Sequence, residues 1–487
     1  MPQVAVALIA AVATAGAASI LPATILGYAT LSAIAASVIG SVVAYAASMV
    51  LGAVLGTGVK APNLASAAQD RKQVIRQSIA PRQVVYGTVR VGGVLAYSAS
   101  TGDDKRFFHM VVILAGHPIE AVDAIWINDQ QVSLSTMDED GILTGAEAGQ
   151  FDGKVRVRVY LGDHSTADPD LIAESPDGWS ADHKLLGCAY IYLRLEYSQT
   201  AFPSGLQSVG ATIRGRSDVY DPRDGGTSFS NNWALCVLDY LRSGFGMDCA
   251  DDEIDFPSFI AAANLSDELV VALADGSTQT RFATDTAFKL DRSRRDILRQ
   301  LLSAGAGTLV YVQGKYRLHG GAYTAPTDTL TISDLAGDVR VTTRTARRDQ
   351  FNAVKGTFID PFRAFQAAEF PAQTSATFEA EDGERIWRDL EFPATTASLR
   401  AQQLALMELR RGREALAIEA PVQYRGLRYA VWQMLSVTIP DLGLTAQPMR
   451  IIGWSFGDGI ITLRLRIESA GAYAWTFADG VPPTLPA

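Results

Sequence analysis

The sequence predicts an α+β fold that is mainly β: β-barrel material with inserted loops, then a helix-bearing α+β section, then a long helix leading into further strands. A hydrophobic helical segment precedes all of it. Three observations carry this reading. Strand-length apolar runs, continuous or alternating, begin after Pro81 and return from Ala415 to the end. Between residues 218 and 307 the apolar spacing becomes helical, with start signals before each run and glycines after the first and third. Residues 1–59 carry no charged side chain, and 17 Ala and 6 Gly fall among them. The implied organisation is a hydrophobic helical segment (1–59), a connector (60–80), a β-barrel unit with insertions (81–217), a helix-containing α+β unit (218–335), a second barrel-like unit with a long helix (336–478) and a Pro-rich tail (479–487).

In the first segment Pro22 breaks or kinks a helix, leaving one apolar pass before it and a longer one from Thr24 to Val59. A bilayer core needs roughly 20 apolar residues, so two passes fit. Gly27, Gly40, Gly52 and Gly56 are the small positions for close helix approach, the last two in G-x-x-x-G spacing. A signal peptide fits poorly, because no positive region precedes a stretch several times the usual length. A membrane anchor flanked by Lys60, Arg71 and Lys72 is one alternative. The favoured expectation is a segment shielded inside an oligomer and released later.

Residues 60–80 read as a polar connector, helical in part. Gln83 to Arg90 has strand character, Gly92-Gly93 reads as a tight turn, and Val94 to Tyr97 returns. Phe107 to Leu114 is a continuous apolar run, and Ala121 to Ile127 ends on the hairpin signal Asn128-Asp129. Val155, Val157 and Val159 alternate with Lys154, Arg156 and Arg158, as on a half-buried strand. Residues 133–153 and 162–185 read as excursions outside the core. Strands follow at Leu186–Tyr197 and Gly210–Gly215. Asn231 or Ser230 caps a helix carrying Leu235, Leu238 and Leu241. Pro257 suits the first turn of a second helix, and Ser293-x-x-Asp296 opens a third that ends at Gly305 and Gly307. A hairpin turns at Gln313-Gly314. A longer helix runs from Thr395 to about Arg413, with Arg410, Arg411 and Arg413 in its last turn.

The net charge of −10 argues against non-specific nucleic-acid binding, and no sequence-specific reader is visible. Residues 218–275 hold 12 acidic and 2 basic side chains, so this block accounts for the whole excess. Cys188, Cys236 and Cys249 lack metal-type spacing, and the five histidines are scattered. The run from Asp221 to Gly226 is a turn rather than a calcium loop, since the alternating oxygen ligands are missing. No catalytic, cofactor or metal residue is expected; the sequence reads as a structural protein, not an enzyme.

Several blocks resemble a known family. They are RQVVYGTVRVGG at 82–93, with Arg82, Tyr86, Gly87, Arg90, Gly92 and Gly93; Val219-Tyr220-Asp221-Pro222-Arg223; Asn232-Trp233 with Asp239-Tyr240-Leu241; Phe351-Asn352 with Asp360-Pro361; and the Arg-ended helix. In that order, over residues 70–470, they resemble the J-type attachment proteins that form the central hub of long non-contractile phage tails. The resemblance implies a homotrimer at the virion tail tip, assembled in the host cytoplasm. Its two β-barrel domains per chain would form a pseudo-sixfold ring under the tail tube, and further domains would close the tip until DNA ejection. Implied partners are tail-tube or distal-tail, tail-tip or fibre, and tape-measure proteins, and the host envelope membrane. Larger members continue into fibronectin-like domains and a receptor-binding fibre, so receptor recognition is expected of another protein. Residues 1–59 would plug the lumen or enter the host membrane. Two other readings are a membrane-anchored β-rich binding protein and a hub with peptidoglycan-hydrolase activity.

Overall fold

The computed structural model describes residues 80–203, 208–457 and 459–482. The apolar segment, with Pro22, Gly27, Gly40, Gly52 and Gly56, and nearly all of the connector lie outside them. Among the described residues no helix is long and apolar enough to cross a membrane.

The chain opens with nine strands: β1 (Gln83–Tyr86), β2 (Thr88–Val91), β3 (Val94–Thr101), β4 (Phe107–Ala115), β5 (Ile119–Ile127), β6 (Gln130–Ser133), β7 (Val155–Tyr160), β8 (Ala189–Glu196) and β9 (Val209–Arg216). All but β1, which pairs elsewhere, form two antiparallel four-stranded sheets, in the orders β3-β4-β8-β7 and β2-β9-β5-β6. Val112, Leu114, Ile191 and Leu193 of one sheet share a core with Val89, Val91, Ile125 and Ile213 of the other. The expected closed barrel is therefore corrected to two packed sheets, with no ladder joining them among the described residues. The corner at Gly92-Gly93 is one cause. Gly93 has φ +73°, and a Cβ there would lie 2.4 Å from the Ile113 carbonyl oxygen. The chain thus changes sheets at this point and does not return as the expected hairpin. Asn128 and Asp129, both at positive φ, do close the β5–β6 hairpin.

The outer face of the β3-β4-β8-β7 sheet is not left to solvent. Helix α1 (Pro169–Glu174), capped by the Asp168 carboxylate on the Leu171 amide, lays Leu171 and then Trp179 against Val111, Tyr190 and Tyr192. Residues 162–185 thus build a second small core, contrary to the expectation of an excursion. The alternating arginines of β7 are covered in consequence: Arg156 pairs with Glu174 at 2.7 Å and Arg158 with Asp170 at 2.7 Å.

The acidic block folds as expected into helices. Two short strands, β10 (Val219–Tyr220) and β11 (Thr227–Ser228), lead to α2 (Trp233–Arg242) and α3 (Phe256–Asp267). Asn232, one residue beyond the expected cap, accepts from the Ala234 and Leu235 amides; Asn231 is drawn away towards Asp285. After β12 (Leu269–Val271), β13 (Thr278–Thr280) and β14 (Thr286–Lys289), Ser293 caps α4 (Arg294–Ser303), and β15 (Thr308–Val312) turns at Gln313-Gly314 into β16 (Lys315–His319). Trp233 is fully buried at the centre and donates from its indole nitrogen to the Leu301 carbonyl at 2.9 Å. Gly305 and Gly307 do more than end α4, because a Cβ on either would fall 2.2 or 2.1 Å from the Trp233 ring. Only glycine leaves room for the indole.

Next come β17 (Asp328–Thr331), β18 (Arg340–Thr342), β19 (Ala353–Asp360), β20 (Gln366–Glu369), β21 (Gln373–Thr374), helix α5 (Ala376–Asp382), β22 (Trp387–Phe392) and α6 (Ser398–Arg413). The last strands are β23 (Ala417–Val422), β24 (Met434–Ile439), β25 (Leu444–Gly457) and β26 (Ile460–Ile467). Helix α6 starts three residues later than its pattern predicted. Its Leu404, Met407 and Leu409 pack with Val354 and Phe358 of β19 in the same core that holds α2, α3 and α4. Strands β20, β21 and β22 all pair with β19, while β17, β18 and the last four strands form one sheet, β17-β24-β25-β26-β23-β18. Its inward residues, among them Leu330, Ile418, Val437, Met449, Ile451 and Leu463, share one core without a second sheet. The sheet must therefore curl on itself, yet β17 and β18 do not pair, so the barrel expected here is also open. A buried ion pair, Arg450–Glu468, ties β25 to the chain after β26. Tyr473 donates to Glu468 at 2.8 Å, and Arg450 to the Trp432 carbonyl at 2.9 Å, so the pair is hydrogen-bonded as burial requires.

Candidate functional site

The opening motif forms the seam between the first β unit and the helical core. On β1 successive side chains face opposite ways. Val84 and Tyr86 enter the helical core, and Val85 enters the core of the paired sheets. Along its length β1 pairs antiparallel with β14, from Gln83 opposite Lys289 to Tyr86 opposite Thr286. Tyr86 donates its hydroxyl to Asp239 of α2, and Arg216 Nε of β9 lies 3.4 Å from the same carboxylate. Burial pushes the Asp239 carboxyl up, against the pull of Arg216 and the Tyr86 bond.

Gly87 makes the next contact possible. Its φ is +66°, and a Cβ would lie 2.2 Å from Asp285 Oδ1. That oxygen accepts the Thr88 amide at 2.9 Å, and Asp285 Oδ2 accepts the Thr396 hydroxyl at 2.6 Å. The Asp285 amide donates to the Ala394 carbonyl at 3.0 Å. One buried aspartate thus holds the start of β2 and the approach to α6 together. Nothing in the periodicity marks Asp285, and sequence reasoning missed it. Asp239 stands within the Asp239-Tyr240-Leu241 motif, whose pattern assigns it no role.

On the other side of β1, His117 Nε2 accepts the Val85 amide at 2.9 Å, and Nδ1 donates to the Pro118 carbonyl at 2.7 Å. Burial lowers its pKa to about 4, so the ring is neutral near pH 7 and both nitrogens are committed. His109 is likewise engaged on both sides, with Thr101 at 2.6 Å and Tyr192 at 2.9 Å, and burial lowers its pKa too. His319 is held at about 4 by burial and then by Arg450 and Arg317. Burial raises the Cys236 thiol well above its usual value and Cys249 to about 11. Near neutral pH these groups offer neither a thiolate nor a mobile imidazole proton.

The other motif residues divide. Arg82 is exposed, while its carbonyl accepts the Leu290 amide at 3.0 Å and continues the β1–β14 pairing. Arg90 is buried against the Trp126 ring, 4.0 Å from its centre, and reaches Asp129 at 2.5 Å. Gly92 and Gly93 form the corner between sheets. Tyr220 stacks on Arg242 at 4.5 Å and, with Asp239, lines an open depression of about 490 Å³ beside the seam. Asp221 turns away from it, its carboxylate taken at 2.7 Å by Arg223, which also reaches Asp267 at 2.7 Å. Pro222 sits within that turn. Asn352 lies apart, fully buried, donating to Asp382 at 2.9 Å and accepting the Ile386 amide at 2.7 Å. Arg413 at the end of α6 reaches the same Asp382 at 2.8 Å. Among the described residues no group of three or more His, Cys, Asp or Glu could hold a metal ion.

Residues 293–454, about a third of the chain, match the family described as "Putative phage tail protein". No curated protein is similar to the chain. A chain in the virion of a native gene transfer agent particle is similar to it at TM-score 0.58 and 16% identity, over 93% of this chain and 98% of that one. Its likeness is one of fold. Two further solved structures have lower scores. The 43 kDa tail protein of prophage MuSo2 from Shewanella oneidensis gives TM-score 0.31 and 12% identity over 81% of this chain and 100% of that one. Prophage tail protein gp18 from Listeria monocytogenes EGD-e gives TM-score 0.28 and 10% identity over 80% and 97%.

The buried histidines make stability depend on acid. His117 and His319 titrate at about 4 in the fold against 6.5 in the open chain, so between these values the unfolded chain binds more protons. Stability is full above pH 6.5 and is lost as pH falls towards 4, by on the order of 3 kcal/mol for each ring. His117→Gln preserves an acceptor for the Val85 amide and removes one titrating group. Denaturant unfolding across this range should lose about one proton of pH dependence in the variant; an unchanged slope would contradict the assignment.

Proposed function

We propose that the chain is a structural protein of a phage-type tail and, within it, the homotrimeric hub of the tail tip, closing the tube until DNA is ejected. The observation that carries this reading is the likeness of fold along almost the whole chain to a component of a gene-transfer-agent virion. The match of residues 293–454 to a phage tail family supports it independently. The blocks at 82–93, 219–241 and 351–361 add the resemblance to J-type hubs. In this role the chain sits in the virion at the tail tip. It meets tail-tube or distal-tail, tape-measure, and tip or fibre proteins, and carries no enzymatic activity. The buried hydrogen bonds of the seam, His117 on Val85 among them, fit a part built for rigidity.

Residues 1–59 then plug the lumen of the hub and enter the host envelope on opening. Their lack of charge favours burial at about 25 cal/mol per Å² of apolar area, either among copies or in lipid. The Pro-rich tail would serve as a linker.

Two experiments test this reading. Quantitative mass measurement of purified particles should find three copies per tail, located at the tip by labelling. One copy, six copies, or a position along the tube would contradict the hub. Particles carrying Ala35→Asp and Ala46→Asp should adsorb normally yet deliver DNA poorly, because each charge costs about 3 kcal/mol or more at a bilayer centre. Normal delivery would remove the membrane-entry role and leave a packing plug.

A further inference from the structure

Where the end of α6 meets the six-stranded sheet, two arginines are left without a counter-charge. Arg411 lies in the last turn of α6, its guanidinium carbon 5.6 Å from the centre of the Tyr473 ring. Arg466 stands on β26, directly opposite Arg450 of β25. The two segments are joined nearby, the Ile467 amide donating to the Leu416 carbonyl at 2.9 Å. Both arginines are partly covered, and the Nε of each is buried with no hydrogen-bond partner. Burial, and next the charge of Arg411, hold Arg466 below its ordinary pKa, so the two guanidiniums repel one another.

The acids around them are engaged or withheld. Glu468 is taken by Arg450 and Tyr473, and Glu408 by Arg388 at 3.2 Å. Glu414 accepts the Ser469 amide on Oε1 at 2.8 Å, while its Oε2 is buried and bonds neither arginine. Burial pushes the Glu414 carboxyl up, towards the protonated form in which it donates a hydrogen bond. Three arginines thus face two carboxylates, one of them drawn towards neutrality. A buried guanidinium without an acceptor is costly, and here there are two.

We propose that Arg411 and Arg466 form a binding site for a small free oxyanion of the sulfate or phosphate class, seated between the end of α6 and β26. One guanidinium fork fills both oxygens of a carboxylate, whereas a tetrahedral oxyanion has oxygens enough for two forks. Its charge offsets the repulsion between the two arginines. In that position the ion clamps the helical core, which holds α6, to the separate core of the six-stranded sheet. The site is independent of how many copies of the chain assemble.

The test compares sodium sulfate with sodium chloride at matched ionic strength, on the full-length chain. Calorimetry should read about one sulfate per chain, and the unfolding midpoint in denaturant should rise with sulfate and then level off. Inorganic phosphate should compete for the same site. Arg411→Gln and Arg466→Gln should each weaken sulfate binding at least about tenfold. Arg466→Lys, which keeps the charge and loses the fork, should weaken it less than Arg466→Gln and serves if the latter fails to fold. Absence of calorimetric binding by either ion at millimolar concentration would overturn the site. So would saturable binding that the variants retain, since the ion would then lie elsewhere. A stabilisation that climbs without levelling and is equal in wild type and variants is salt exclusion from the surface, and it too would contradict the proposal.

Discussion

A four-residue strand shared between two cores is the constraint on which the rest depends. Because β1 sends Val85 one way and Val84 and Tyr86 the other, the paired sheets cannot be displaced from the helical core without exposing both. Polar contacts hold that strand and the start of β2 just after it: Asp239 on Tyr86, Asp285 on Thr88 and His117 on Val85. Each is buried or nearly so, where an unmade bond costs about 1–3 kcal/mol. Slippage by one residue would place Tyr86 in the wrong core and leave all three partners unsatisfied.

The same logic recurs further along. Trp233 fills the space that Gly305 and Gly307 leave open, and Asn352 with Arg413 closes α5 onto α6 through Asp382. Gln402 of α6 holds the chain near its end, exchanging two bonds of 2.8 and 2.9 Å with Val481. These are devices for holding elements at fixed distances. They suit the structural tail role proposed above.

Local features were legible in the sequence, and long-range ones were not. Asn128-Asp129 and Gln313-Gly314 turn as read, since a two-residue hairpin depends on the backbone preferences of those residues alone. The capping pattern at Ser293 held for the same reason. Gly92-Gly93 misled, because whether a glycine pair makes a hairpin or a corner depends on what approaches it, here the Ile113 carbonyl. Residues 162–185 misled because their polar composition hides a few well-placed anchors, Leu171 and Trp179. Barrel closure depends on strand pairings far apart in the chain, which alternation does not encode. Asp285 draws its role from four segments that meet only after folding. Tyr86, Gly87 and Gly93 were singled out by resemblance, and their reasons emerged only with their neighbours.

Native-state hydrogen exchange of β1 tests the seam most directly. If this strand joins the two cores, the Tyr86 and Val85 amides should exchange only through global unfolding, in step with β4, β8 and α2. Exchange of β1 through a cheaper local opening, while the amides on both sides stay protected, would contradict the account: the two units would then be merely adjacent.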